Sequence, residues 1–128
     1  MTDVLIVEDE PAILESLQFI LERSGWTVDV ARDGEAALRA VRSLRPRMVL
    51  LDIMLPKRSG FDVLKSIRAD ASLRSTSVVI LTARGQQFDR QTAHELCADG
   101  FVTKPFANAD VVKEVRRILE ETPVRGHG

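Results

Sequence analysis

The chain has 128 residues, 45% hydrophobic and 29% charged, with a formal net charge of −1, which fits one domain with its own core and excludes both a disordered chain and one built chiefly to hold a polyanion. Its single cysteine, Cys97, excludes an internal disulfide, and two isolated histidines, His94 and His127, make no metal-ligand cluster. No apolar run approaches the about 20 residues of a membrane span, and no basic segment leads into an apolar one, so a reducing, cytoplasmic compartment without membrane contact is expected.

Short branched apolar runs alternate with longer stretches of helical periodicity. The first run, "VLIV" (Val4–Val7), enters three consecutive carboxylates, Glu8, Asp9 and Glu10, and Pro11 then suits the first turn of a helix striped by Ile13, Leu14, Leu17, Ile20 and Leu21. After Gly25 and Trp26, read as a packing residue, comes "TVDVA" (residues 27–31); Gly34 then precedes a helix with Ala36, Ala37, Leu38, Ala40, Val41 and Leu44 on its stripe. "MVLLD" (Met48–Asp52) reads as a third strand, and Phe61, Val63, Leu64 and Ile67 as a third, shorter helix beyond Gly60. "SVVILT" (Ser77–Thr82) is the fourth strand; the helix after it, near residues 88–98, has its stripe diluted by Thr92, His94 and Glu95. "GFVTK" (residues 100–104) is the fifth strand, and Val111, Val112, Val115, Ile118 and Leu119 mark the last helix over residues 108–121.

Five strand-helix units in strict alternation predict an α/β fold, a single doubly wound (βα)5 domain whose five-stranded parallel sheet carries helices on both faces. The domain is expected over residues 1–121. The polar, glycine-containing end "ETPVRGHG" predicts a flexible tail over residues 122–128. Gly25, Gly34, Gly60 and Gly100 fall at joints, where a backbone needs positive φ or a close turn.

In such a sheet, ligands bind beyond the carboxyl ends of the strands. Glu8 and Asp9 end the first strand, Asp52 the third, Thr82 the fourth and Lys104 the fifth, so all five side chains share one edge. Each has a plain structural explanation: Asp9 as a helix cap, Asp52 as a strand end, Thr82 as a helix start, Lys104 as a surface pair. Three carboxylates at one edge without an arginine to relieve them require something cationic. Oxygen-only donors favour a hard divalent ion such as Mg2+, which pairs with phosphate oxygens, and an aspartate beside it can accept a phosphoryl group.

With "VEDE", "LLDIMLPKRSG", "LTA" and "FVTKPF" in this order and spacing, the chain resembles the receiver domain of two-component response regulators over roughly residues 3–119. The resemblance implies a strand order of 2-1-3-4-5 and a phosphorelay function with no activity beyond self-phosphorylation and self-dephosphorylation. Asp52 is then the phosphoacceptor, served by a sensor histidine kinase or a histidine phosphotransfer protein. Asp9, Asp52 and the backbone carbonyl of Met54 would ligate Mg2+, for which Mn2+ can substitute, with Glu8 acting through water. Lys104 would pair with the phosphoryl group, Thr82 would hydrogen-bond to it, and Phe101 would be the aromatic that turns inward. The Lys104–Pro105 bond would be cis. The surface of helix four, strand five and helix five would change for an output partner that the sequence does not identify, as a stand-alone receiver or as part of a longer regulator.

Met54 and Arg84 flank the route of water to the phosphorus in the family; neither is a general base, which predicts slow self-dephosphorylation, faster with a polar residue at Met54. Receivers joined to winged-helix DNA-binding domains pair through the face of helices four and five. Here Asp99, Arg117, Arg90 and Glu95 remain, but Gly100 replaces a second acid and Glu114 a base, so homodimerisation on phosphorylation is left open. Three other readings compete: an aspartate-nucleophile phosphatase, disfavoured because Met54 stands where a proton-donating aspartate belongs; a flavin or nucleotide module, whose phosphate "EDEP" would repel; and a receiver-like adaptor that binds without phosphorylation, disfavoured by the complete residue set. Arg39, Arg42, Arg45 and Arg47 are the one nucleic-acid cue, read as a solvated helix face, so no direct nucleic-acid binding is expected.

Overall fold

The computed structural model describes residues 2–82 and 87–121, with the side chains of all of these except residues 87–90 and 121. Arg84, the side chain of Arg90, His127 and the expected tail over residues 122–128 lie outside the described residues. The chain runs β1 (Val4–Val7), α1 (Pro11–Arg23), β2 (Val28–Ala31), α2 (Gly34–Leu44), β3 (Met48–Asp52), α3 (Gly60–Ala69), a 3-10 turn (Ala71–Leu73), β4 (Ser77–Thr82), α4 (Gln87–Glu95), β5 (Gly100–Thr103) and α5 (Asn108–Arg116), which continues as a π turn (Arg117–Glu121).

The five strands form one parallel sheet in the order β2-β1-β3-β4-β5. Its three inner strands are buried along their whole length, which is why they read as unbroken apolar runs. The period of two decides which face each residue serves. Leu5, Val7, Val49, Leu51, Val78 and Ile80 pack against α2 and α3, while Val4, Ile6, Met48, Leu50, Val79 and Leu81 pack against α1 and α5. Trp26 joins the second core, 8% exposed. The edge strand β2 shows the expected change of pattern: Asp29 and Val30 are exposed while Ala31 is buried.

Several boundaries differ from the sequence expectation by a residue or more. Thr27 precedes β2 and Lys104 follows β5. The regular part of the last helix stops at Arg116, before the π turn. Among the glycines at joints only Gly25 has positive φ, 103°. Gly34 and Gly60 are instead points of close backbone approach, where a Cβ would overlap Arg58 and the Asp52–Ile53 main chain respectively.

Candidate functional site

The ends of β1, β3, β4 and β5 lie side by side, and the polar residues singled out in the sequence meet there. Asp52 is the last residue of β3, with 3% exposure, and Glu8 follows β1 with 1%. Asp9, next in the chain, is exposed. One carboxylate oxygen from each of Glu8, Asp9 and Asp52 lies within 4.8 Å of the others.

Lys104 supplies part of the cationic compensation. Its Nζ donates to Glu8 Oε1 at 2.7 Å and lies 3.4 Å from Asp52 Oδ2. Burial works against the ammonium charge, but the hydrogen bond to Glu8 and the charges of Asp52 and Glu8 outweigh it and hold Lys104 above the usual lysine range. Asp52 moves the other way for a carboxylate: burial first, then the charge of Glu8, push it up from 3.8 to about 6, against the pull of Lys104 and of the Met54 N–H. That N–H donates to Asp52 Oδ1 at 3.3 Å.

One lysine facing three carboxylates leaves negative charge uncompensated, and the lysine sits on the Glu8 Oε1 and Asp52 Oδ2 side. Hard oxygen donors this close fit a divalent cation of the Mg2+ type, which needs few protein carboxylates and completes its shell with water or phosphate oxygens. The donor chemistry therefore fits the ion that the sequence implied.

The alternative role for Asp9 as a helix cap does not fit the backbone. Glu10 occupies the cap position of α1 and makes no side-chain capping bond, while the Glu10 N–H donates to Glu8 Oε2 at 3.1 Å. Of the three crowded acids, Glu8 is thus tied into the buried cluster and Glu10 begins the helix. Thr82 ends β4 with 2% exposure, and its carbonyl accepts from the Lys104 N–H at 2.6 Å. Lys104–Pro105 is a cis peptide bond. Phe101, on β5 opposite Ile80, is half-buried and packs against the core on the α2–α3 side. Met54 is 69% exposed beside Asp52.

Other charged residues are committed elsewhere. Asp99 was expected among the groups available for pairing between chains. Within the chain its Oδ2 accepts from Arg68 at 2.9 Å and from the Val78 N–H at 2.8 Å, and the side chain is 9% exposed. Arg117 donates to Glu114 and to the Asp99 carbonyl. On and after α2, Arg42 reaches Asp70, Arg45 donates to the Ser72 carbonyl, and Arg47 binds Asp3 and the Leu119 carbonyl. Three of the four arginines that offered a nucleic-acid cue thus tie elements of the chain together. The sequence reading missed these pairings because they join residues from 27 to 72 positions apart.

Comparison with known proteins agrees with this geometry. The profile of the response regulator receiver domain family matches residues 4–116. Alkaline phosphatase synthesis transcriptional regulatory protein PhoP of Bacillus subtilis is 39% identical over 121 residues, covering 94% of this chain and 50% of that protein. Sensory transduction protein RegX3 of Mycobacterium tuberculosis is 41% identical over 119 residues, covering 93% of this chain and 51% of that protein. The chain therefore spans about half the length of these curated relatives. Among solved structures, chemotaxis protein CheY4 of Vibrio cholerae superposes with a TM-score of 0.87 at 28% identity, covering 93% of this chain and 99% of that one. The receiver domain of sensor histidine kinase PA1611 from Pseudomonas aeruginosa, with a magnesium ion coordinated in its active site cleft, gives 0.83 at 28% identity, covering 91% and 96%.

Proposed function

The chain belongs to the response regulator receiver domain family of two-component signal transduction, and from that premise we propose that Asp52 is its phosphoacceptor, loaded by a histidine kinase or a histidine phosphotransfer protein, with the receiver unit occupying residues 1–121. The observation that carries the reading is the single cluster of Glu8, Asp9, Asp52 and Lys104 at the sheet edge.

In the transfer, an Asp52 carboxylate oxygen forms a bond to phosphorus as the bond from phosphorus to the donor's imidazole nitrogen breaks, and the freed nitrogen takes up a proton. Asp9, Asp52 and the Met54 carbonyl would hold Mg2+ with Glu8 beside it, and the ion would neutralise the phosphoryl oxygens as charge shifts between them. Lys104 can turn from Asp52 Oδ2 towards a phosphoryl oxygen while keeping Glu8, and the Thr82 hydroxyl can donate to another. Drawing Thr82 inward leaves room for the half-buried Phe101 ring, which passes the change to the surface of α4, β5 and α5. Both conformers exist beforehand, and phosphorylation shifts their populations. Met54, without a titratable group, leaves attacking water without a general base and gives a slowly hydrolysed phosphoryl group.

An apolar groove of about 460 Å3, lined by Ala12, Ile13, Leu17, Pro105 and Phe106, borders Lys104. We read it as the seat of the phosphohistidine-bearing partner. No helix among the described residues is long and apolar enough to cross a membrane. The reading is tested with a small acyl phosphate as donor. Intact mass should increase by one phosphoryl group in Mg2+ and remain unchanged when the cation is chelated; equal labelling in both conditions would remove the metal from the account.

A further inference from the structure

The loop after Asp52 is built from two three-residue turns, the second of which needs support from outside. The Leu55 N–H donates to the Ile53 carbonyl at 3.0 Å and the Arg58 N–H to the Pro56 carbonyl at 2.7 Å, each bond spanning two residues. Lys57, between the second pair, has φ 69°. Three-residue turns with a positive-φ centre are rare and strained, and persist where the surroundings hold them. Met54 is the middle residue of the first turn, so whatever fixes this loop also fixes the peptide next to Asp52.

The start of α2 braces the far half of this loop, while the Gly60 N–H, donating to the Ile53 carbonyl at 2.9 Å, ties its near half to α3. The Gly34 N–H donates to the Pro56 carbonyl at 3.4 Å. A Cβ on Gly34 would lie 2.5 Å from Arg58 Cβ and 2.6 Å from the Arg58 carbonyl oxygen, so the two backbones approach as closely as glycine permits. On either side of this contact, Asp33 lies 3.7 Å from Lys57 Nζ, and Glu35 Oε1 accepts from Arg58 Nε at 3.0 Å. Asp33 is itself fixed, because its Oδ1 accepts from the Ala36 N–H at 2.8 Å as the cap of α2.

We propose that Asp33, Gly34 and Glu35 form a strut that positions the Met54 peptide for cation capture at Asp52, which makes Gly34 and Glu35 positioning residues of a site neither of them reaches. This rests on the metal-assisted reading above. The two ion pairs are largely exposed, and such pairs contribute little to global stability. Their effect should therefore register in cation affinity more than in unfolding. Residues that orient a metal's ligands commonly matter in this way.

The test is calorimetric titration of the full chain with Mg2+ alone, paired with urea unfolding, for the wild type, Gly34→Ala, Glu35→Ala and the swap Glu35→Arg with Arg58→Glu. Gly34→Ala should weaken Mg2+ binding by about tenfold and Glu35→Ala by roughly threefold, with the swap recovering most of the Glu35 loss. Should Gly34→Ala fail to fold, Glu35→Ala and the swap decide the matter. Both single variants binding Mg2+ like the wild type, whatever their urea midpoints, would overturn the strut alone. A wild type that binds no Mg2+ would overturn the metal-assisted reading and the strut with it.

Discussion

Asp52 and Lys104 occupy the same cluster and pull stability in opposite directions. Burial and then the Glu8 charge raise Asp52 from 3.8 to about 6, so the folded chain holds this proton more tightly than the unfolded chain does. Stability from that proton is complete below the unfolded value, declines as pH rises through the folded value, and is gone above it. Asp52→Asn should therefore be more stable than the wild type at neutral pH, without divalent cation, by on the order of 2 kcal/mol, with the gap closing towards pH 4. Lys104→Met should be less stable at neutral pH by on the order of 3 kcal/mol, because it leaves the 1%-exposed Glu8 without its cation. Urea unfolding across pH measures both, and two variants shifting in the same direction would refute this electrostatic account. In the sequence, the strand-end positions of Asp9, Asp52, Thr82 and Lys104 were legible because a parallel sheet brings the carboxyl ends of its strands to one edge. The burial of Glu8 and its bond to Lys104, 96 residues away, were not, since a strand end fixes an edge and leaves the side-chain direction open.

At the scale of elements, short apolar runs alternating with stretches of period 3.6 were enough to name the five strands and the helices between them. They could not say that α2 and α3 cover one face and α1 and α5 the other, because that depends on how the crossovers run. The 3-10 turn at Ala71–Leu73 and the π turn at Arg117–Glu121 also escaped the sequence: neither changes the spacing of apolar residues. The glycines divide by cause. Gly25 sits in the left-handed region with nothing within 4 Å of a Cβ, so Gly25→Ala should cost about 1 kcal/mol of backbone strain. Gly60 has no such φ; its Cβ would lie 2.8 Å from Ile53 Cα and overlap the Asp52 carbonyl. Gly60→Ala should cost on the order of 2 kcal/mol or more by overpacking, and should also weaken Mg2+ binding, as Gly25→Ala should not. Calorimetric Mg2+ titration beside urea midpoints separates the two; equal cation affinity in both variants would refute the assignment.

The whole molecule works as a frame that converts distance along the chain into proximity. With the order β2-β1-β3-β4-β5, the chain leaves β1 first to one side and then to the other, so a crevice opens at the carboxyl ends of β1 and β3, where Glu8, Asp9 and Asp52 meet. A cation that binds only the folded arrangement must stabilise it. Mg2+ at about one hundred times its dissociation constant should add roughly 2.7 kcal/mol to unfolding, and Asp9→Asn should lose most of that gain; unchanged urea midpoints in Mg2+ would count against a cation site here. The most direct test of the central claim is peptide-level mass spectrometry after treatment with a small acyl phosphate in Mg2+. The account expects one phosphoryl group on the peptide containing Asp52 and none on Asp52→Asn; an unlabelled wild type, or a label kept by Asp52→Asn, would contradict it.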